Sequence, residues 1–202
     1  MFKKASFLLL IVGLGLMSCS KDPISDLSNE ESLVYITNHD KSANFTQYKT
    51  FSIVDSVLIL ENTRAGTSLD DIDRAMLQRL ITNMEAMGYK HVGRKENPDL
   101  GINVSWITNT YLNVYQPLSS YYGGYWGGYG YGYPSYYSYY ETSESSWMIS
   151  MLDFKNPQTT PSGKTFNAIW EAQIRGAAIG DQKLVDKMAD SIFGQSGYLK
   201  IK

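Results

Sequence analysis

Residues 100–114 read LGINVSWITNTYLNV, and this run of sequence decides the fold class that we predict. Large apolar side chains, beginning with Leu100, Ile102 and Val104, alternate with small or polar ones as far as Val114. A repeat of two residues is typical of a β-strand whose successive side chains point to opposite faces of a sheet. A strand of this length would span roughly 50 Å, so we expect its far end to project beyond the body of the domain.

The strand leads into a Tyr/Gly-rich stretch, Gln116 to Tyr140. Residues 121–140 contain ten Tyr, six Gly and one Trp, and residues 100–140 contain no Asp, Glu, Lys or Arg. Because a returning strand is predicted over residues 144–154, we expect the Tyr/Gly-rich stretch to form the tip of a long β-hairpin. Tyrosine combines an apolar ring with a polar hydroxyl, which suits contact with a protein, a sugar ring or lipid headgroups.

The alternative interpretation of the Tyr/Gly-rich stretch is a low-complexity loop that binds no ligand. Under the binding hypothesis, aromatic side chains of this stretch make the contact. The candidate binding residues are Tyr121, Tyr122, Tyr125, Trp126, Tyr129, Tyr131, Tyr133, Tyr136 and Tyr137.

Two amphipathic helices are predicted, one before these strands in the sequence and one after them. The first has Ser68 as its N-cap and Gly88 as its stop, with apolar residues at spacings of three and four between them. Asp70, Asp71 and Asp73 lie in its first turn, where the helix dipole favours negative charge, although three aspartates so close together also raise a metal site as an alternative. The second helix opens at Asp181 and carries a similar apolar stripe.

Three further strands are predicted at residues 33–36, 48–54 and 164–176, with a short one at 89–92. The element order is then β-β-α-(β)-β-β-β-α. Two amphipathic helices need one face of a sheet to bury their stripes. The predicted fold class is therefore α+β, a two-layer domain with a largely antiparallel β-sheet and both helices packed on one face.

The amino-terminal residues predict an export signal. Two lysines precede a short apolar run, and Leu16-Met17-Ser18-Cys19 resembles the lipobox of bacterial lipoproteins. The resemblance implies cleavage before Cys19, lipidation of that residue, and membrane anchoring through its acyl chains. Residues 1–18 are accordingly predicted to be a lipoprotein signal peptide, residues 19–31 a lipidated tether, and residues 32–202 one α+β domain. Ser20 stands at the second mature position, where an aspartate often retains lipoproteins in the inner membrane. The resemblance therefore implies the outer membrane, on the periplasmic side or at the cell surface.

Four short motifs stand in the order that a bacterial lipoprotein family shows. They are NFTQYKTF at residues 44–51, PDL at 98–100, LDF at 152–154 and IWEA at 169–172. Together with the lipobox, they resemble the family known as domain of unknown function 4136. Asn44 and Ala172 depart from the Asp and Gly of the family pattern. The family has no established activity, so the resemblance implies a fold and an anchor but no catalytic residues, cofactor or metal.

Little in the sequence points to catalysis. The two histidines, His39 and His91, belong to no recognisable motif, and the glycine runs lack the lysine and helix of a phosphate-binding loop. Cys19 is the sole cysteine, which excludes an intramolecular disulfide and a cysteine metal site. The formal charge of −2, without a basic cluster, argues against nucleic acid as a partner.

The sequence therefore predicts a non-enzymatic outer-membrane lipoprotein that contacts envelope proteins through its Tyr/Gly-rich stretch. The alternative is a lipoprotein that binds glycan or peptidoglycan through the same aromatic residues, and a hydrolase is the third, less favoured class.

Overall fold

The computed structural model describes residues 27–61, 64–108, 115–127, 130–132, 145–160 and 163–201. Within these ranges the chain forms one mixed sheet and three α-helices, so the α+β prediction is confirmed. The strands are β1 (Val34–His39), β2 (Thr50–Ile53), β3 (Val57–Glu61), β4 (Arg64–Ser68), β5 (Lys90–His91), β6 (Leu100–Thr108), β7 (Gly130–Gly132), β8 (Ser146–Asp153), β9 (Gln158–Thr160) and β10 (Gly163–Arg175). The helices are α1 (Asp71–Ala86), α2 (Tyr115–Tyr125) and α3 (Val185–Gly194).

Four long strands in the order β1-β10-β8-β6 form the centre of the sheet, and each pairs antiparallel with the next. The far side of β6 is shared by two short strands that run parallel to it, β2 along residues 100–102 and β3 along residues 105–108. β2 and β3 follow one line along β6, interrupted at residues 54–56. β3 and β4 pair antiparallel, and neither strand was predicted from the sequence.

The face of the sheet that packs against α1 and α3 is apolar. Trp147 and Trp170 are completely enclosed on it, and the Trp106 ring meets the Trp147 ring edge-on, with 5.0 Å between ring centroids. Trp170 also packs against Phe193 of α3. Trp170 therefore lies on a buried face of the sheet, in contact with α3.

Local sequence fixes both ends of α1. Its N-cap is Asp70, whose carboxylate accepts from the Asp73 N–H while the Asp73 carboxylate accepts from the Asp70 N–H. The expected N-cap, Ser68, instead closes β4, because the chain stays extended for two more residues. Gly88 has φ of 105° and ends the helix as predicted, since a residue without Cβ adopts this conformation at little cost.

The opposite face of the sheet carries α2, a helix that the sequence analysis did not predict. The described part of β6 runs from Leu100 to Thr108, and its predicted continuation to Val114 lies outside the described residues. Residues 115–125 are helical rather than part of a projecting hairpin tip. Tyr122 and Trp126 belong to the buried core, so this part of the Tyr/Gly-rich stretch packs into the body of the domain instead of projecting from it.

Candidate binding groove beside the aromatic helix

The two buried aromatic residues at the end of α2 are held on β6 by hydrogen bonds. The Tyr122 hydroxyl donates to the Val104 carbonyl at 2.7 Å and lies 3.2 Å from the Ser105 hydroxyl. The Trp126 indole N–H donates to the Asn103 side-chain oxygen at 2.7 Å. Tyr122 is 1% exposed and Trp126 is 8% exposed, so these bonds are formed away from water, where losing one partner is costly.

The partly exposed side of α2 meets the interruption between β2 and β3. The Tyr121 hydroxyl lies 3.0 Å from the Ser56 hydroxyl, and the Tyr125 hydroxyl accepts from the Asp55 N–H at 3.1 Å. Burial, reinforced by the Asp55 charge, raises the pKa of the Tyr125 phenol, which therefore stays neutral at physiological pH. The Asp55 N–H and the Ser56 hydroxyl thus fix the positions of the Tyr125 and Tyr121 rings.

Arg94 fixes the carboxyl end of α2. One guanidinium nitrogen donates to the Tyr125 carbonyl at 2.8 Å, and the guanidinium carbon lies 4.5 Å from the centroid of the Tyr125 ring. A cation at this position complements both the unpaired carbonyls of a helix end and the face of an aromatic ring.

The sheet face that carries α2 is polar although it is buried. β6, β8 and β10 place a row of polar side chains on this face, while the alternating residues on the other face are apolar. Because buried polar groups need partners, a helix with indole N–H and phenol O–H groups suits this face better than an aliphatic one. The buried polar residues on it are Asn103, Ser105, Ser146, Ser150, Glu171 and Gln173.

A groove with an aromatic floor lies beyond the end of α2. The rings of Trp126, Phe154 and Phe166 follow one another along it, with centroid separations of 4.8 Å and 4.5 Å. Gly101 makes room for this floor, since a Cβ there would stand 2.2 Å from the Phe154 ring. The groove has a volume of about 370 Å³.

The rim of the groove is basic. Arg94, Lys155 and Lys164 line it together with one carboxylate, Asp99. The lining residues therefore include three cations and one carboxylate, whereas the whole chain has a formal charge of −2. Asn97 also lines the groove and has φ of 53°, a conformation that asparagine tolerates better than most residues.

Two carboxylates near the groove are occupied in holding the fold. One oxygen of Asp99 accepts from the Lys49 and Thr50 N–H groups at 2.6 and 3.2 Å, which joins the start of β6 to the start of β2. Asp153 accepts from the Tyr48 hydroxyl at 2.7 Å. The pKa of the Tyr48 phenol is strongly raised, mainly by burial and secondly by the Asp153 carboxylate. Residues of the motifs at 44–51, 98–100 and 152–154 thus have structural roles.

The histidines do not form a site together. His39 lies on β1, stacked on Tyr198 with 3.9 Å between ring centroids, whereas His91 lies on β5, next to Phe51. β1 and β5 are at opposite edges of the sheet. Asp70 and Asp73 cap α1, and within the described residues no cluster of three histidine, cysteine or acidic side chains could hold a metal ion.

The predicted binding residues therefore divide into three groups. Tyr121, Tyr122, Tyr125 and Trp126 are described, and all four turn towards the body of the domain, where Trp126 reaches the groove. The backbone of Tyr131 lies in β7, which pairs parallel with β10 at residues 165–167. Tyr129, Tyr133, Tyr136, Tyr137 and the lipidation residue Cys19 lie outside the described residues.

Among the helices that the structure describes, none has the length and apolar content needed to cross a bilayer. The sequence profile of a domain of unknown function, DUF4136, matches residues 36–196. None of the curated proteins with which the sequence was compared matches it.

Three solved structures are similar to different degrees. The crystal structure of a DUF4136 family protein from Bacteroides thetaiotaomicron shares 30% sequence identity over 85% of this chain and 99% of that one, with a TM-score of 0.67. A PelC dodecamer from Paraburkholderia phytofirmans gives 9% identity, 84% and 98% coverage and a TM-score of 0.41. A PDZ domain protein from Parabacteroides distasonis gives 13% identity, 80% and 35% coverage and a TM-score of 0.39.

Proposed function

We propose that this chain, which belongs to the DUF4136 family, is a lipid-anchored outer-membrane protein that binds a ligand in the groove beside α2 without transforming it. The family is one of unknown function, so the proposal depends on the chain's own residues. The observation that carries it is the combination of an aromatic floor and a basic rim in one open depression.

The aromatic floor supports binding because its rings are fixed before any ligand arrives. The Trp126 indole N–H is held by Asn103, and the Phe154 ring lies in the space that Gly101 leaves. Rings that are already ordered lose little conformational freedom on contact with a ligand. The basic side chains at the rim add the few polar groups that orient a ligand in such a pocket.

The anchor is proposed from the sequence around Cys19. The lipobox predicts a modified cysteine at the start of the mature chain, and residues 20–31 are polar enough to serve as a flexible tether. The alanine variant Cys19→Ala should lose labelling by an alkyne fatty acid and should leave the membrane fraction of cells. Labelling that persists in the variant would refute the anchor without bearing on the groove.

The proposal of binding without catalysis is supported by the distribution of reactive groups in the described residues. His39 and His91 are at opposite sheet edges, and Asp99 and Asp153 already accept backbone or tyrosine donors. The side chains that line the groove supply cations and rings but no arranged nucleophile with a neighbouring base.

The location of the site differs from the one that the sequence suggested. Binding was expected along the whole Tyr/Gly-rich stretch, whereas Tyr121, Tyr122 and Tyr125 are docked on the domain and Trp126 lines the groove. Contact with an envelope protein through the remaining tyrosines stays a prediction and becomes one outcome of the following experiment.

Site-specific photo-crosslinking in cells tests the groove. A benzoylphenylalanine is placed at Pro157, which lines the groove. In a control variant it is placed at Lys183, an exposed residue just before α3. We expect an adduct of defined added mass at Pro157 and none at Lys183. Equal adducts at both positions, no adduct at either, or a protein adduct at Pro157 would contradict the proposed function.

A further inference from the structure

One end of the sheet carries exposed apolar side chains beside the point where the chain enters the domain. We name this surface the tether end, and it comprises residues 27–34, Trp106 and residues 176–180. We propose that the tether end rests in the lipid headgroup layer of the bilayer that holds the anchor. The inference rests on the anchor proposed at Cys19, and it adds a contact that the protein's own side chains make with lipid.

The entering chain is fixed to the tether end before β1 begins. The Ser32 N–H donates to the Ser28 carbonyl at 3.1 Å, and Glu30 forms an ion pair with Lys187 of α3. The Ser32 carbonyl packs so closely on Gly176 that a Cβ there would stand 2.3 Å from its oxygen. The first residues of the described chain are therefore held on the domain.

The connection between the proposed anchor and the fixed chain is short. Seven residues, 20–26, separate Cys19 from Leu27. An extended chain from Cys19 to Leu27 reaches at most about 29 Å, so the tether end stays close to the lipid surface. A short connection gives an effective concentration of the order of millimolar, at which even a weak contact with the bilayer is formed.

The two most exposed large apolar side chains among the described residues lie at the tether end. Leu27 is 47% exposed and Val34 is 43% exposed, ahead of Leu69 and Tyr198 at 38% each. Single exposed apolar residues are ordinary, whereas neighbouring ones on one surface mark a site of contact. Their position beside the tether favours lipid as the occupant of this surface.

Trp106 brings a third apolar side chain to the same end of the sheet. It is partly exposed, whereas the other three tryptophans are buried. Cross-strand pairs connect Trp106 through Trp147 and Ile174 to Tyr35, the residue after Val34. Trp106 and Val34 are therefore level along the strands and three strand spacings apart, roughly 14 Å. One flat lipid surface can contact both.

An uncharged pocket of about 490 Å³ adjoins the Trp106 ring. Its described lining is completed by Ser145, Gly176, Ala177, Ile179 and Gly180. The Trp106 N–H donates to the Thr108 hydroxyl at 3.0 Å, so the ring can leave water while its polar group keeps a partner. Indole rings are enriched at the depth of the headgroups, where an apolar layer meets a polar one.

Quenching of tryptophan fluorescence by brominated lipid tests the contact on the full-length lipidated protein. The protein is placed in phosphatidylcholine vesicles whose acyl chains carry bromine near the headgroups, and its emission is compared with that in vesicles without bromine. We expect emission to be lost in the brominated vesicles, and Trp106→Phe should remove most of that loss. Trp126→Phe, which changes the tryptophan at the groove, should leave the loss unchanged.

A fluorescent label on single introduced cysteines tests the orientation, because a lipidated Cys19 has no free thiol. Val34→Cys carries the label at the tether end. Asn38→Cys is the matched control, since Asn38 is also exposed and lies on the same face of β1, about 13 Å further along. Thr159→Cys on β9 marks the opposite end of β10. A nitroxide on the lipid headgroups should quench the label most at Val34, less at Asn38 and least at Thr159.

Added negative charge should break the contact at the tether end. The double variant Leu27→Glu with Val34→Glu should reduce the quenching of Trp106 by brominated lipid, because a carboxylate is costly to move out of water. Leu69→Glu is the matched control, since it changes an exposed leucine outside the tether end in the same way. It should leave the quenching unchanged.

Three results would overturn the inference. The first is no quenching of Trp106, the second is equal quenching of the labels at Val34 and Thr159, and the third is an equal effect of Leu69→Glu and the double variant. Labelling of Cys19 by an alkyne fatty acid then separates two failures. With Cys19 labelled, each of these results refutes the lipid contact and leaves the anchor standing. With Cys19 unlabelled, the anchor and the lipid contact both fail.

Discussion

The two faces of the central sheet are buried by different means. On one face, α1 and α3 cover an apolar layer that includes Trp147 and Trp170. On the other, α2 covers a polar layer, and its aromatic groups donate to Asn103 and to the Val104 carbonyl. The first face depends on the area removed from water, which has no direction, and the second depends on hydrogen bonds, which do.

This difference explains why the groove lies on the polar side. An apolar layer tolerates side chains that shift and repack. A ring held by a bond from its indole N–H to one amide oxygen has a defined orientation, as Trp126 has at the floor of the groove. The binding proposed for the groove would need such fixed groups, and the polar face supplies them.

The largest effect is expected on the apolar face. Trp170→Ala should lower the free energy of unfolding by about 3–5 kcal/mol, because the ring is 1% exposed and packs against Phe193. Trp170→Phe is the control, since it keeps one aromatic ring and loses the second ring of the indole together with the N–H that donates to Ser196. Urea denaturation measures both. A loss below about 1 kcal/mol for the alanine variant would mean that this face is not held by burial.

A smaller but directional effect is expected on the polar face. Asn103→Ala leaves the Trp126 indole N–H buried without its acceptor and should cost about 1–3 kcal/mol. In the Trp126→Phe background the same change should cost clearly less, because the donor is already absent. A double-mutant cycle measures this coupling. Additive losses in the cycle would show that the hydrogen bond is not what holds α2.

The smallest effect is expected where α1 meets α3 at the surface. Arg79 donates to both carboxylate oxygens of Asp190, at 2.8 and 2.6 Å, and Arg79→Ala should cost about 0.5–1 kcal/mol at low salt. The Arg79 guanidinium lowers the pKa of Asp190, so the contribution is present above the ordinary aspartate pKa of about 3.9. It should disappear as the pH falls through the lowered value. Unfolding of both proteins from pH 7 to pH 2 measures it, and a difference that persists at pH 2 would contradict this account.

The sequence predicts one face of the sheet much better than the other. The alternation in β6 and the apolar stripes of α1 and α3 are regular, and the layer they form is the layer that was expected. In α2, the abundance of tyrosine and glycine indicates a loop, and Gly123 and Gly124 are poor helix formers. Leu118, Tyr122 and Trp126 nevertheless recur every four residues, which is the helical spacing that could have revealed it.

The groove could not be derived from the sequence, for a different reason. Arg94, Lys155 and Lys164 are ordinary cationic residues in separate parts of the chain, with no local pattern that relates them to one another. They meet because Asp99 joins the starts of β2 and β6, and because β8 ends beside them. Convergence of this kind is a property of the topology rather than of any motif.

The length of β10 has a consequence for how the protein stands on a membrane. The chain reaches the domain at Ser32, against Gly176 and the end of β10, whereas the groove lies near Lys164 at the start of that strand. At about 3.3 Å per residue, these two ends are roughly 36 Å apart. With the anchor proposed at Cys19, the groove would lie at the end of β10 that is farther from the tether, so the body of the domain would separate it from the point of attachment.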